Sequence, residues 1–207
     1  MLVKICGLRN SENIEAVARL QPDFIGLIFY RESKRYIHSD PILEDYTRKL
    51  TSVKKVGVFV NPTYDEVMLA VADHDLDFIQ LHGNETITFC DGVNKVIPVI
   101  KAFHIGEIFE WQTLETYIES TTLFLFDTYT KEYGGSGKKF NWDILSSYHC
   151  SHPFFLSGGI ASTDIESIKK IAHPNLIGID VNSSIEDSPG IKNIDKVKKL
   201  INEVRNR

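Results

Sequence analysis

Two side chains of this sequence can move a proton between carbon and oxygen, the thiol of Cys6 and the carboxyl of Asp127. In such a pair one group removes a proton from carbon while the other donates one to oxygen. An ordinary thiol titrates at about 8.5 and an aspartic acid at about 3.9, so both roles call for shifts toward neutrality. Burial raises a carboxyl, and helix termini or nearby cations lower a thiol. Two further clusters have the chemistry of a phosphate site. Gly158-Gly159 lets backbone N–H groups approach an anion, and Asn182-Ser183-Ser184 supplies hydroxyls and the start of a short helix. Gly135-Ser136-Gly137 belongs to a glycine-rich stretch that can reinforce this clamp or close over it. Arg35, in a charged loop, offers a planar fork that fits a carboxylate.

These residues are scattered along the chain, yet each follows a short apolar run. Residues 2–7 carry Cys6 and stop at Gly7, 24–29 lead toward Arg35, 56–60 end at Asn61, and 78–81 end at His82. Residues 123–126 end at Asp127, 154–156 run into Ser157-Gly158-Gly159, and 176–181 run into Asn182. Continuous apolar runs imply burial on both faces, as in parallel sheets. Between them lie segments with helical spacing. Asn10-Ser11-Glu12 caps a helix with Ile14, Val17, Ala18 and Leu20 on one face, Pro41 opens a helix over 41–50, and Asn61-Pro62-Thr63 starts another. Further helices are expected at 84–91, 111–119, 141–148, 163–172 and 195–204, and a fifth strand at 96–101 despite Pro98. Eight strand–helix units at intervals of about 25 residues, joined by right-handed crossovers, close most economically into a (β/α)8 TIM barrel with all polar strand ends at one mouth. We expect a single domain over 1–207; a doubly wound open sheet is the competing arrangement. On strand one Leu2, Lys4 and Cys6 share a face, which points Lys4 into the barrel below the thiol, with Asp180 on strand eight as its expected partner.

With 207 residues, a net charge of −5, 43% hydrophobic and 25% charged residues, the composition is that of an ordinary globular protein. The negative balance argues against a nucleic-acid partner, which favours a basic face. The densest basic run, 196–199, is flanked by Asp195 and Glu203 and reads as a solvated helix face. No apolar run is long enough to span a bilayer and no basic-then-apolar leader precedes Leu2, so a cytoplasmic, unprocessed chain without membrane partners is expected. Cys6, Cys90 and Cys150 lack C-x-x-C spacing and read as reduced thiols. His149-Cys150-Ser151-His152 precedes a strand, at the end of the elements away from the polar strand ends, and reads as structural rather than metal-binding.

Eight motifs then occur in order. They are Lys4-Ile5-Cys6-Gly7, Ser33-Lys34-Arg35, Gly57-Val58-Phe59-Val60-Asn61, Gln80-Leu81-His82-Gly83, Asp127-Thr128, Gly134-Gly135-Ser136-Gly137 with Phe140-x-Trp142, Ser157-Gly158-Gly159-Ile160, and Gly178-Ile179-Asp180-Val181 through Pro189-Gly190. Together they resemble the phosphoribosylanthranilate isomerase family. The resemblance implies a step of tryptophan biosynthesis, the Amadori rearrangement of N-(5-phosphoribosyl)anthranilate to carboxyphenylamino-deoxyribulose phosphate, with no metal and no organic cofactor. It makes Asp127 the general acid at the furanose ring oxygen and Cys6 the general base at C2. It gives Arg35 the anthranilate carboxylate, and it completes the substrate site with His82, Gly135, Ser136, Gly137, Gly158, Gly159, Asn182 and Ser183. The chain departs from the family pattern at Ser136, at Asn141 and in the Asn182-Ser183-Ser184 turn; none of these changes touches Cys6, Asp127 or Arg35. The expected partner is a phosphorylated small molecule, and both a monomer and a homodimer are open. Three rivals compete. An indole-glycerol-phosphate synthase would need a lysine-centred acid/base set and a longer N-terminal region. A pentose-phosphate epimerase would need a metal-binding His/Asp set, for which His82 alone is in sight. A non-catalytic phosphosugar binder would need neither Cys6 nor Asp127.

Overall fold

The apolar runs form eight parallel strands: β1 (Leu2–Leu8), β2 (Phe24–Ile28), β3 (Lys54–Phe59), β4 (Phe78–Leu81), β5 (Val99–Ile105), β6 (Leu123–Thr128), β7 (Phe154–Leu156) and β8 (Leu176–Val181). Each pairs with the next, and β8 pairs with β1 in the register Lys4 opposite Asp180, so the sheet closes. This is the expected (β/α)8 barrel, seen in a computed structural model that describes residues 1–129 and 139–206. Gly135, Ser136 and Gly137 lie outside the described residues.

The two-sided burial has two distinct destinations. One set of strand residues, including Phe24, Val56, Val58, Ile100, Ala102, Leu125 and Phe155, fills the barrel interior. The alternate set, including Ile5, Ile25, Ile79, Phe124 and Phe154, packs outward against Ile14, Val17, Val67 and Leu200 of the surrounding helices. Inside, Phe24 meets Phe78 and Phe155 edge-on at centroid distances of 5.5 and 5.6 Å.

The helices begin at side-chain caps. Asn10 caps α1 (Ser11–Ala18), Asp40 caps α2 (Pro41–Lys49), and Thr63 with Glu66 forms a capping box on α3 (Tyr64–His74). Thr86 caps α4 (Ile87–Asn94) and Asn193 caps α6 (Ile194–Arg205), with the short α5 (Ile165–Lys169) between them.

Five segments differ from expectation. β5 starts after Pro98, which has no N–H for the ladder and contributes only its carbonyl, to Ile79. α4 starts at Ile87 rather than Asn84 because Glu85 folds back to accept the N–H groups of Asn61 and Gly83. Trp111–Ser120 and Trp142–Ser147 wind as 3₁₀ helices. In the first, Thr113 and Thr116 turn their hydroxyls onto the carbonyls of Glu110 and Thr113, in competition with regular helix pairing. The chain around Pro189-Gly190 forms a small hairpin, β9 (Glu186–Ser188) and β10 (Ile191–Lys192), for which the sequence shows no apolar run. Among the described residues, no helix is long and apolar enough to cross a membrane.

Candidate active site

The C-terminal strand ends surround an open cleft, the place where this fold builds its sites. Of the expected residues it brings together Cys6, His82, Asp127, Gly158, Gly159, Asn182 and Ser183. Arg35 stands outside this lining. Its side chain crosses Gly7 at the rim, and its fork is closed on Glu186, with Nε 2.9 Å from Oε1 and Nη2 2.7 Å from Oε2.

Cys6 points inward from β1 against Gly26, where an added Cβ would lie 2.7 Å from Sγ. One turn of the strand's alternation below it, Lys4 is fully buried and donates to Asp180 Oδ1 at 2.9 Å, the expected partnership. A buried ammonium needs such a partner. Burial pushes the Cys6 thiol above its ordinary value and Asp180 adds to the push, while the charges of Lys4 and Lys192 pull it down without prevailing.

Asp127 faces the cleft from β6. Its Oδ2 lies 3.2 Å from His82 Nε2, and its Oδ1 accepts the Thr128 N–H at 2.8 Å. Burial alone would raise this carboxyl. The His82 hydrogen bond, the imidazoles of His82 and His104 and the Thr128 N–H together hold it below its ordinary value. Both shifts therefore run away from neutrality, opposite to the sequence expectation. The helix-end and cation effects invoked for the thiol lose to its burial, and the burial invoked for the carboxyl loses to two adjacent imidazoles.

His82 is held from both sides. The Gln80 amide lies 2.8 Å from its Nδ1, and the following loop is tied by Glu85, which accepts Gly83 N–H and pairs with the buried Lys101 at 3.0 Å. His104 is the site residue that sequence reasoning missed. It sits on β5 in register with Asp127 on β6, its ring 5.1 Å from that of His82. Burial and the neighbouring His82 hold its pKa below 6.5. Its signal was present: once β5 starts at Val99, the alternation that turns Ile100 and Ala102 inward reaches His104 next. His82, His104 and Asp127 place their ligand atoms within 4.8 Å of one another, so His82 is not the lone metal-capable residue here.

Beside β6, the chain after β7 passes through Gly158 at φ +94° and Gly159 at φ +63°. A side chain at Gly158 would overlap Thr128 Oγ1, so only glycine lets this loop lie against the end of β6. Ser184 donates its hydroxyl to the Ile160 carbonyl, lashing the loops after β7 and β8 together. Asn182 is fixed by Lys192, whose Nζ donates to its Oδ1 at 2.7 Å and to Glu186 Oε1 at 2.8 Å. Burial opposes ionisation of Glu186, but Arg35, Lys192 and the Gly190 N–H hold it below its ordinary value. Glu186 and Lys192, both on the hairpin, were also invisible as site residues in the sequence.

A profile of the N-(5'-phosphoribosyl)anthranilate (PRA) isomerase family matches residues 3–203. An N-(5'-phosphoribosyl)anthranilate isomerase of Parabacteroides distasonis is 43% identical over 206 residues, covering 99% of this chain and 93% of that relative. The phosphoribosyl anthranilate isomerase structure from Thermotoga maritima superposes with a TM-score of 0.88 at 33% identity, covering 99% of both chains. A phosphoribosyl anthranilate isomerase in complex with reduced 1-(o-carboxyphenylamino)-1-deoxyribulose 5-phosphate has a TM-score of 0.84 at 30% identity, covering 99% of this chain and 98% of the other. Since the similarity runs from β1 into α6 and takes in every strand that lines the cleft, the chain belongs to the N-(5'-phosphoribosyl)anthranilate isomerase family.

Proposed function

We propose that this isomerase converts N-(5-phosphoribosyl)anthranilate to 1-(2-carboxyphenylamino)-1-deoxyribulose 5-phosphate in tryptophan biosynthesis, with residues 1–207 acting as one catalytic domain. The observation that carries the reading is the convergence, in a chain of this family, of Cys6 and Asp127 on a cleft that is also lined by Gly158, Gly159, Asn182 and Ser183, from the two strands between theirs. The compound bound to the related isomerase bears a phosphate, an open five-carbon chain with its ketone reduced, and an aryl carboxylate, the three groups such a cleft must seat.

In the proposed reaction Asp127 donates a proton to the furanose ring oxygen. The C1–O bond breaks, and the nitrogen lone pair forms the C1=N bond of a Schiff base. Cys6 as thiolate takes the proton from C2; the C–H electrons form a C1=C2 bond and the C=N electrons return to nitrogen, giving an enolamine. Transfer of a proton from the enol oxygen to C1 yields the ketose. The resting cleft, with Asp127 ionised and Cys6 protonated, holds the same number of protons as this reactive form. Binding has to move one proton from sulfur to carboxyl. A bound phosphate and the loss of water both raise Asp127, and Lys4 and Lys192 favour the thiolate. The backbone after β7 and β8 holds the phosphate, His82 orients Asp127, and Arg35 takes the carboxylate with the guanidinium edge turned away from Glu186.

The test is turnover of freshly generated phosphoribosylanthranilate, followed by loss of anthranilate-type fluorescence. The parent turns over, and Cys6→Ala and Asp127→Asn each lose about 10²- to 10⁴-fold in kcat with the fold intact. Normal turnover in either variant would remove that residue from the mechanism, and no turnover in the parent would reject the reaction.

A further inference from the structure

Among the described residues, His82, His104 and Asp127 form the one group of three histidine, cysteine or carboxylate side chains able to converge on a metal ion. They come from the ends of three consecutive strands, β4, β5 and β6, so their spacing is set by the barrel and not by a loop. His82 Nε2 and Asp127 Oδ2 are 3.2 Å apart, close to the edge of a tetrahedral zinc site. Two imidazoles and one carboxylate suit late first-row divalent ions, and three protein ligands leave a coordination position open toward the cleft.

A second observation bears on the same point. Gln80 is 1% exposed and lines the cleft, and its Oε1 has no hydrogen-bond partner among the described residues. As placed, its Nε2 donates to His82 Nδ1 at 2.8 Å, which puts the ring proton on Nε2, facing Asp127. Half a turn of the amide offers Oε1 instead. The ring proton then sits on Nδ1 and is accepted by Oε1, the amide nitrogen gives up its bond to the ring, and the His82 Nε2 lone pair is free for a metal. Ligating histidines are held by an outer acceptor in this way.

We propose that His82, His104 and Asp127 constitute a divalent transition-metal site in the mouth of the barrel, with Gln80 as its outer-shell acceptor, and that an ion bound there shuts the site by capturing Asp127. The binding half stands on the geometry alone; the inhibitory half rests on the role proposed for Asp127.

The test uses the full chain freed of metal with chelator, Zn²⁺ for calorimetry and Co²⁺ for visible spectra. One equivalent binds, Co²⁺ shows the bands of a low-coordinate site without a thiolate charge-transfer band, and Cys6→Ser leaves both unchanged. His82→Ala and His104→Gln lose the stoichiometric binding. Gln80→Leu weakens it about 10- to 100-fold. Because His104 is interior, thermal melts accompany its variant, and His82, at the mouth, serves as the independent ligand knockout. Absence of binding, binding that survives His82→Ala, or a charge-transfer band lost in Cys6→Ser would each overturn the site. Zn²⁺ further inhibits turnover, reversibly with chelator, and Gln80→Leu requires about 10- to 100-fold more Zn²⁺. Full turnover with the site saturated would overturn the inhibitory half and the role of Asp127 while leaving the spectra as predicted.

Discussion

Cys6 ionises under opposed influences, burial that raises its pKa and the charges of Lys4 and Lys192 that lower it. Lys192→Met removes one of the two cations. The pH profile of iodoacetamide alkylation at Cys6, read on the Cys6 peptide so that Cys90 and Cys150 do not intrude, moves to higher pH; an unmoved or lowered profile would show that Lys192 does not act on the thiol. Glu186 lies on the other side of Lys192 with its folded pKa held below the ordinary 4.5. Its ionised form therefore contributes stability above that value, and the contribution fades as pH falls through the lower folded value. Glu186→Gln is expected to be less stable than the parent at neutral pH, with the difference closing on acidification below about 4.5; melts whose separation stays constant down to that range would contradict this. Cys6, His82 and Asp127 were legible in the sequence because each closes an apolar run. Glu186 and Lys192 were not, since strands of three and two residues show no alternation to read.

Strand boundaries decide which side chains face the cleft, because a period of two makes every misplacement consequential. β1 and β8 were placed well enough for the Lys4–Asp180 pair to be anticipated across the barrel seam. The apolar pattern places β5 over 96–101, across Pro98 and short of His104, whereas the strand runs Val99–Ile105. The two 3₁₀ segments were legible as helical but not in their winding, which goes with hydroxyls competing for carbonyls, those of Thr113 and Thr116 in the first and of Ser146 in the second. At this scale Lys4→Met tests the seam: it leaves Asp180 buried without its cation, and loss of one partner of a buried pair costs about 3–5 kcal/mol. Urea unfolding measures it, and a loss below about 1 kcal/mol would mean that Asp180 is compensated by other groups.

Closure is what turns scattered chemistry into a site. The first strand meets both the second and the last, so a thiol near the start, a carboxyl past the midpoint and two loops from the final third share one mouth. That much was legible, because eight apolar runs of similar spacing leave few topologies to consider. The distribution of protons over the mouth was not, since it depends on distances between strands that sequence separation does not encode. In the proposed mechanism Cys6 and Asp127 act on one sugar whose phosphate rests on the loops after β7 and β8. A crystal structure with a reduced, non-isomerisable product analogue measures it directly. Expected are Cys6 Sγ within about 3.5 Å of C2, an Asp127 oxygen at the former ring oxygen, and the phosphate on the backbone of Gly158, Gly159 and 182–184. An analogue bound with its sugar chain out of reach of either side chain, or with its phosphate at the His82 end of the cleft, would rule it out.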